Sequence, residues 1–385
     1  MKRIILLGAS GNVGTQVLSV LAKNKQIYCL VAISVGEYNP IAIIDNIVSR
    51  FESIKFICVR SKKYINYLQN KYKNINFYYG YKGLKTIIID SNPDVFFNAL
   101  SGFVGLMPTL TAISKNIIII LANKESLVVG GSLIKKKLKN SKSIIYPVDS
   151  EHSAIFKCLK KTKISDVKKI IITASGGAFK HLSRNQLKNV SVEQALKHPT
   201  WNMGPKITID SATMINKGFE VIEAYYLFDF CVEKIEILMH EESFVHAIIE
   251  IKDGLFFGEV NKPTMLNPIG YALGLKTNVT IKKVDKIEKL GKFHFYKFNK
   301  NRFPMVQYVL KAFKLGGAML CVVNAANEIA VQAFLQKKIK FLDIEKIVCL
   351  SLIKFKDMAK LNLNLSNLNK VDKIVRTWAK TIITA

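Results

Sequence analysis

Short apolar runs alternate with amphipathic stretches over the first 148 residues of the chain. The apolar runs predict strands at 4–7, 28–34, 56–60, 95–99 and 117–122. The stretches between them predict helices at 15–23, 41–51, 106–115 and 126–138. Because this alternation is typical of parallel strands joined by crossover helices, residues 1–148 are predicted to form a nucleotide-binding α/β domain.

The pattern changes beyond residue 144. Predicted strands at 169–174, 235–239, 247–251 and 255–260 are less regularly separated by helices, which indicates a mixed or antiparallel sheet. Residues 180–206 are polar and irregular, which favours a mobile lid over a site. Helical patterns at 305–315, 319–337, 344–355 and 370–381 predict a C-terminal helical domain. The predicted domains are therefore 1–148, 149–275 and 303–385, with a linker at 276–302.

Composition narrows the class of protein. At 385 residues and 49% hydrophobic content, the chain is long and apolar enough for two or three domains with their own cores. No apolar stretch reaches the roughly 18 residues of a transmembrane helix, and the run 4–7 is too short for a signal peptide. Six cysteines without close spacing predict buried free thiols in a reducing compartment, so we expect a cytoplasmic protein.

The formal charge of +29 raises the possibility of a nucleic-acid-binding protein, because Lys and Arg bind the phosphate backbone. The lysines are spread along the whole chain, however, and no nucleic-acid-binding signature accompanies them. We therefore favour a compositional bias over a nucleic-acid groove. Attraction of small phosphorylated anions still follows from the charge.

A glycine segment follows the first predicted strand, with Gly8, Gly11 and Gly14 before a predicted helix. Glycines there allow a tight turn and let a pyrophosphate approach backbone N–H groups at a helix N-terminus, so a dinucleotide site is favoured over a plain turn. At the end of the second strand, Glu37 favours the free ribose hydroxyl of NAD. A solvated loop glutamate is an equal alternative.

A second polar segment, from Asn123 to Ser126, lies just past an apolar strand, at the edge where open α/β folds bind ligands. Lys124 could pair with a hydroxyl or phosphate, and Glu125 with a ribose. A plain helix start, with Ser126 in its first turn, is the alternative, and the two interpretations are compatible.

Acidic residues mark a third segment, because Asp149 and Glu151 lie two residues apart and would point to the same side of an extended segment. Carboxylates so placed repel one another unless a cation intervenes, and their oxygens suit Mg²⁺ or Mn²⁺. A salt-bridged surface pair is the alternative for this spacing alone.

The segment from residue 210 to residue 220 favours the metal hypothesis. Ser211, Asn216 and Lys217 carry donors of the kind that a phosphate requires, and Ser175 adds a hydroxyl beside two glycines. On a helix, Lys217 and Glu220 would share a face. These residues predict a place where a cation and an anionic substrate meet.

Three further residues stand in polar or mixed surroundings: His198, Trp201 and His246. A lone histidine is more often structural than functional. A tryptophan in a polar loop is less ordinary, because an exposed indole generally covers something.

Taken together, these motifs resemble the 1-deoxy-D-xylulose 5-phosphate reductoisomerase family, an NADPH-dependent family of the non-mevalonate isoprenoid pathway. The resemblance covers nearly the whole chain, through residues 8–14, 121–126, 147–152, 198–204, 210–220 and 324–328. It implies an α/β protein with an N-terminal Rossmann-like dinucleotide-binding domain, a central α+β catalytic and dimerisation domain, a C-terminal α-helical domain and a homodimer. It also implies no nucleic-acid or membrane partner.

The resemblance assigns roles to matching positions. Asp149, Glu151 and Glu220 would hold Mg²⁺ or Mn²⁺ and, with Lys124 and His198, form the catalytic set. The implied substrate-binding residues are Lys124, Ser150, Glu151, Ser175, His198, Trp201, Met203, Ser211, Asn216, Lys217, Glu220, Ser243, His246 and Met265. The implied NADPH-binding residues are Ser10, Gly11, Asn12, Val13, Gly36, Glu37, Asn39, Asn123, Glu125 and Gly204.

The reaction that the resemblance implies rearranges 1-deoxy-D-xylulose 5-phosphate to a branched aldehyde and reduces it to 2-C-methyl-D-erythritol 4-phosphate.

Three positions depart from the family pattern. Glu37 stands where a basic residue is usual, with Asn39, Arg60 or Lys62 as candidates to compensate, and Ala178 and the surroundings of Met265 also differ. A plain nicotinamide dehydrogenase and a basic nucleic-acid-binding protein remain as alternatives.

Overall fold

The computed structural model describes residues 1–275 and 290–384, in which the chain forms two compact units. The first consists of Met1–Ser126, Leu133–Asp149 and the described residues 265–275. The second consists of Leu127–Ser132, Ser150–Thr264 and the described residues from 290 onward. Part of the predicted linker, 276–289, lies outside the described residues. The division into three domains stays a prediction.

The first unit contains a seven-stranded sheet, and every strand pair in it is parallel. Its strands are β1 (Lys2–Leu7), β2 (Tyr28–Val35), β3 (Phe56–Val59), β4 (Asn76–Tyr79), β5 (Val95–Asn98), β6 (Ile118–Leu121) and β7 (Ile145–Pro147). The α-helices that begin in this unit are α1 (Asn12–Ala22), α2 (Pro40–Arg50), α3 (Ile65–Lys71), α4 (Gly80–Ser91), α5 (Leu106–Ser114) and α6 (Lys124–Leu138), together with a later helix at 266–272. The strand order β4-β3-β2-β1-β5-β6-β7 confirms the predicted α/β fold.

The strand order reverses between β1 and β5, which is the place where an open α/β sheet binds its ligand. Neighbouring strands of this sheet end at the same level. The last residue of β1, Leu7, pairs with the last residue of β5, Asn98, and the last residue of β2, Val35, pairs with the last residue of β3, Val59. The loops that follow these strands therefore share one edge. Residues 4–7 of β1 are fully buried although their side chains alternate between the two faces, so both faces of the sheet are covered.

The second unit contains a mixed five-stranded sheet in the order β11-β10-β8-β9-β12, which confirms the prediction of a mixed or antiparallel sheet. Its strands are β8 (Val167–Ala174), β9 (Ile235–Met239), β10 (Val245–Ile251), β11 (Phe256–Val260) and β12 (Tyr296–Lys297). The pair β8–β9 is parallel, and the others are antiparallel. Strand β12 falls within the predicted linker.

Helices account for most of the remaining chain. They are α7 (Ser150–Cys158), α8 (Val192–Ala195), α9 (Pro205–Thr213), α10 (Ile215–Phe228), α11 (Leu266–Ala272), α12 (Pro304–Leu315), α13 (Met319–Leu335), α14 (Phe341–Lys354) and α15 (Leu365–Thr384). The four predicted C-terminal helices are confirmed with shifted ends, because helix ends depend on local capping as well as on apolar spacing. Among the described residues, no helix is both long and apolar enough to cross a membrane.

All six cysteines are free, as predicted. Their predicted burial is confirmed for Cys58, Cys158 and Cys321 but is wrong for Cys231, which is exposed. Cys231 lies in the turn between α10 and β9, where an apolar neighbourhood in sequence does not bury the thiol.

Candidate active site

The glycine segment of the first unit forms a tight turn between β1 and α1. A side chain at Gly14 would place its Cβ 2.1 Å from the carbonyl oxygen of Gly8, and one at Gly8, where φ is +86°, would lie 2.4 Å from that of Ala99. These positions therefore require glycine. Four predicted cofactor residues lie in this turn and the first turn of α1: Ser10, Gly11, Asn12 and Val13.

The end of β2 is bonded to this turn. The Ser34 hydroxyl accepts a hydrogen bond from the Gly8 amide at 2.8 Å, and the Ser10 hydroxyl accepts one from the Gly36 amide at 3.0 Å. Gly36 and the residues after it are thereby held beside the glycine turn, as a dinucleotide site requires.

Glu37 and Asn39 follow in the loop that leads to α2. Asn39 has a left-handed backbone, with φ of +40°, directly before the helix. The Glu37 carboxylate lies 3.5 Å from the Arg60 guanidinium, and both side chains are mostly exposed.

Asn123 and Glu125 are buried at the start of α6. The Asn123 amide donates to the carbonyl oxygens of Leu100 and Gly102, both at 2.9 Å, and to the Glu125 carboxylate at 3.0 Å. Its side-chain oxygen accepts from the Ser126 amide at 3.1 Å and so caps the helix. The interpretation of this segment as a helix start is therefore confirmed.

The Lys124 ammonium forms an ion pair with the Asp149 carboxylate in the same unit, and both side chains are nearly buried. Asp149 ends the first unit, and a single residue separates it from Glu151. The expectation that Asp149 and Glu151 share an extended segment is wrong, because α7 begins at Ser150 and Glu151 lies in its first turn. The Ser150 hydroxyl donates to the Glu151 carboxylate at 2.5 Å.

Within the second unit, Lys217 joins two carboxylates. Its ammonium donates to Glu220 at 2.7 Å, as their shared helix face predicted, and also to Glu151. The Asn216 amide donates to the other Glu220 oxygen at 2.5 Å. Burial alone would lower the pKa of Lys217, but the charges of Glu151 and Glu220 outweigh it, so the pKa is raised and the lysine stays charged.

The two carboxylates fit a divalent cation. A carboxylate oxygen of Glu151 lies within 4.8 Å of one of Glu220, and a protein cation already stands between them. Carboxylate oxygens are the ligands that Mg²⁺ prefers.

His152 and Glu223 belong to this site although we did not predict them. The buried His152 ring places Nε2 2.9 Å from the carbonyl oxygen of Glu220 and Nδ1 3.4 Å from the Glu223 carboxylate. His152 therefore links α7 to the helix that carries Glu220. The sequence offers a weak signal for this link, since His152 directly follows Glu151.

Ser175, His198 and Ser211 form a second group. The Nε2 atom of His198 lies 3.0 Å from the Ser175 hydroxyl and 3.2 Å from that of Ser211. Its Nδ1 accepts from the backbone amides of Thr200 at 3.2 Å and Trp201 at 3.0 Å, so the neutral ring carries its proton on Nε2. Burial, followed by the charges of Lys217 and Lys180, lowers the pKa of His198 to about 4.

Trp201 is half-buried, and its ring centroid lies 5.8 Å from that of His246. Burial lowers the pKa of His246 more than the charges of Glu151 and Glu259 raise it. The Ser243 hydroxyl lies 3.1 Å from that of Thr200, which fastens the tryptophan segment to the loop before β10.

The remaining predicted residues lie at helix starts. Met203 is half-buried, and Gly204 directly precedes α9. Met265 belongs to the first unit and directly precedes α11. The contacts of these three with a ligand stay predictions.

Family models match three parts of the chain. The model of 1-deoxy-D-xylulose 5-phosphate reductoisomerase matches residues 4–131, and that of its C-terminal domain matches residues 145–228. A further model, of the DXP reductoisomerase C-terminal domain, matches residues 260–378.

Curated relatives match over the full length. The 1-deoxy-D-xylulose 5-phosphate reductoisomerase of Clostridium tetani is 43% identical over 389 residues and covers 99% of both chains. That of Listeria innocua is 40% identical over 385 residues and covers 100% of both.

Solved structures agree with these matches. The crystal structure of DOX-P reductoisomerase in complex with NADPH, fosmidomycin and magnesium is 33% identical, with a TM-score of 0.91, and the match covers 100% of this chain and 98% of that one. The reductoisomerase of Zymomonas mobilis in complex with NADPH is 34% identical, with a TM-score of 0.88 and 99% of both chains covered.

Proposed function

Because this chain belongs to the 1-deoxy-D-xylulose 5-phosphate reductoisomerase family, we propose that it converts 1-deoxy-D-xylulose 5-phosphate to 2-C-methyl-D-erythritol 4-phosphate with NADPH and Mg²⁺. The observation that carries the proposal is the cluster of Glu151, Lys217 and Glu220 in the second unit. It brings together the carboxylates that a metal requires and a lysine that a phosphorylated substrate requires.

The first unit supplies the cofactor site. Because Gly8 and Gly14 let the chain turn tightly before α1, a pyrophosphate can approach the first backbone amides of that helix, at Asn12 and Val13. NADPH, when bound, supplies the hydride for the reduction. The residues of this chain orient it through the glycine turn and the end of β2.

The metal ligands in the proposal are Asp149, Glu151 and Glu220. A divalent cation, when bound there, polarises the substrate's carbonyl and hydroxyl oxygens as a Lewis acid. His152 fixes the backbone of Glu220, so the carboxylate is presented from a rigid helix.

The substrate's phosphate is assigned to Ser175, His198, Ser211, Asn216 and Lys217. The neutral His198 ring can donate its Nε2 proton at neutral pH, and the two hydroxyls beside it can donate as well. Trp201 and Met203 cover the substrate and keep water from the reacting atoms.

The test is an assay of purified protein with the deoxyketose phosphate, Mg²⁺ and NADPH, in which turnover is measured as the loss of NADPH absorbance. We expect turnover and a product with a branched carbon skeleton, and Glu151→Gln should abolish both. Glu250→Gln is the matched control, because Glu250 pairs with Lys168 at 2.5 Å in the sheet and has no assigned role. An unbranched product would favour the plain dehydrogenase, and a wild type inert with both NADPH and NADH would refute the proposal.

We also propose that the protein is a homodimer. Strand β11 is an edge of its sheet and exposes Phe256 by 62% and Val260 by 47%, which suits strand pairing with a second copy. Light scattering should give twice the chain mass, and Phe256→Asp should give the monomer. Ile353→Asp, at a residue 68% exposed on α14, should leave the dimer intact.

Two finer points complete the proposal. Mn²⁺ should replace Mg²⁺ in the same assay, because both accept carboxylate oxygens. A cytoplasmic location is supported by the six free cysteines, and fractionation of the source cells tests it.

A further inference from the structure

The carboxyl ends of β2 and β3 carry more positive than negative charge. Val35 pairs with Val59, so the loops after these residues start side by side. The first loop contributes Glu37, and the second contributes Arg60, Lys62 and Lys63. One carboxylate thus faces a segment with three cations.

An acid at the end of the second strand ordinarily binds the ribose hydroxyl of NAD, whereas a nearby arginine accommodates the 2′-phosphate of NADP. Here the acid already has a partner, since Glu37 lies 3.5 Å from Arg60. The Arg60 side chain is 75% exposed and that of Glu37 is 55% exposed. An ion pair so exposed is weak, and a doubly charged phosphate competes well with a single carboxylate for the guanidinium.

We propose that Arg60 is the residue that recognises the 2′-phosphate of NADPH, and that Glu37 is the counter-ion that this phosphate displaces from the guanidinium and does not select NAD. This inference rests on the proposed function only for the identity of the cofactor. The residue that recognises the 2′-phosphate then follows the third strand, β3, and not the second strand, β2. There the planar guanidinium of Arg60 can bind the phosphate through two parallel hydrogen bonds.

The experiment compares adenosine 2′,5′-bisphosphate with AMP by titration calorimetry, so its readout does not depend on turnover. Arg60→Ala should weaken binding of the bisphosphate about 10- to 100-fold, the loss expected for a charged hydrogen-bonded contact, and leave AMP unchanged. Arg60→Lys should restore part of the loss. In turnover, Arg60→Ala should raise KM for NADPH and leave KM for NADH unchanged.

Arg50→Ala is the matched control, because Arg50 is a surface arginine of the same unit at the far end of α2. It should change neither titration. Equal losses for the bisphosphate and AMP in Arg60→Ala, or no loss for either, would overturn the inference. A wild type that binds the ligands but does not turn over would refute the proposed function alone.

Glu37→Gln separates the two roles of the acid. If Glu37 is a counter-ion that the phosphate displaces from Arg60, removing its charge should leave AMP binding unchanged and strengthen that of the bisphosphate, because the phosphate loses its competitor. If Glu37 selects NAD, the same change should weaken NADH and AMP and leave the bisphosphate unchanged, which would contradict the inference.

Discussion

Replacing Lys217 by Met should destabilise the second unit strongly in the absence of metal. The ammonium lies 2.7 Å from Glu220 and is also bonded to Glu151, and its side chain is only 9% exposed. Removing it leaves two carboxylates whose oxygens lie within 4.8 Å of one another. Two unit charges at that distance repel by about 3.5 kcal/mol at an effective dielectric constant of about 20. This agrees with the roughly 3–5 kcal/mol that the loss of one partner costs a buried ion pair.

Differential scanning fluorimetry in a chelating buffer measures the effect. A loss of 3–5 kcal/mol should lower the melting temperature of the second unit by about 6–20 °C. Lys168→Met is the matched control, because its ion pair with Glu250 is exposed at the lysine and its loss should cost at most about 1 kcal/mol.

Magnesium provides the second arm of this test. Since a divalent cation can replace the missing ammonium between the carboxylates, Mg²⁺ should raise the melting temperature of Lys217→Met more than that of the wild type. The electrostatic argument would be refuted if Lys217→Met melted at the same temperature as the wild type, or if Lys168→Met lowered the melting temperature as much as Lys217→Met.

Three further predictions concern the same unit. Gly177→Ala should cost about 1–3 kcal/mol in urea unfolding, because φ is +67° and the new Cβ would lie 2.8 Å from backbone atoms. Gly204→Ala should cost less, because its Cβ meets no atom within 4 Å and only the helix-capping preference for glycine is lost. The pKa of about 4 at His198 lies below the unfolded value of about 6.5, so its stabilisation is present above pH 6.5 and is lost as the pH falls toward 4. His198→Asn should flatten this part of the stability curve. Asn327→Ala should cost about 1–3 kcal/mol in urea unfolding, because the buried Asn327 amide donates to the Asp210 carboxylate at 2.9 Å.

The parallel sheet could be predicted because its strands are continuous apolar runs. The three-residue strand β7 was not predicted, and neither was strand β4, Asn76–Tyr79, together with α3 and α4. The four residues of β4 include an asparagine and two tyrosines, and a strand this short at a sheet edge needs little apolar surface. Strand β4 forms because it pairs with β3 in the sheet, and the local pattern of apolar residues does not predict it.

The candidate site was predictable in its residues but less so in their contacts. The shared helix face of Lys217 and Glu220 follows from a spacing of three residues. The contact of Lys217 with Glu151 joins residues 66 positions apart and depends on the packing of α10 near α7. The same long separation explains why the link from His152 to Glu220, over 68 positions, was missed.

The lysines of the site explain why its acidic residues are compatible with folding. Each acidic segment has a lysine of its own unit as a counter-ion: Lys124 pairs with Asp149 in the first unit, and Lys217 lies between Glu151 and Glu220 in the second. Without such partners, buried carboxylates would have to be protonated or would destabilise the fold before any metal arrives. The chain has 57 Lys and Arg, so composition alone does not distinguish these two lysines from the others. It has only 28 Asp and Glu, so a cluster of carboxylates is more noticeable. Charge bias therefore makes the carboxylates of the candidate site visible from composition, whereas Lys124 and Lys217 are recognisable only from their places in the motifs.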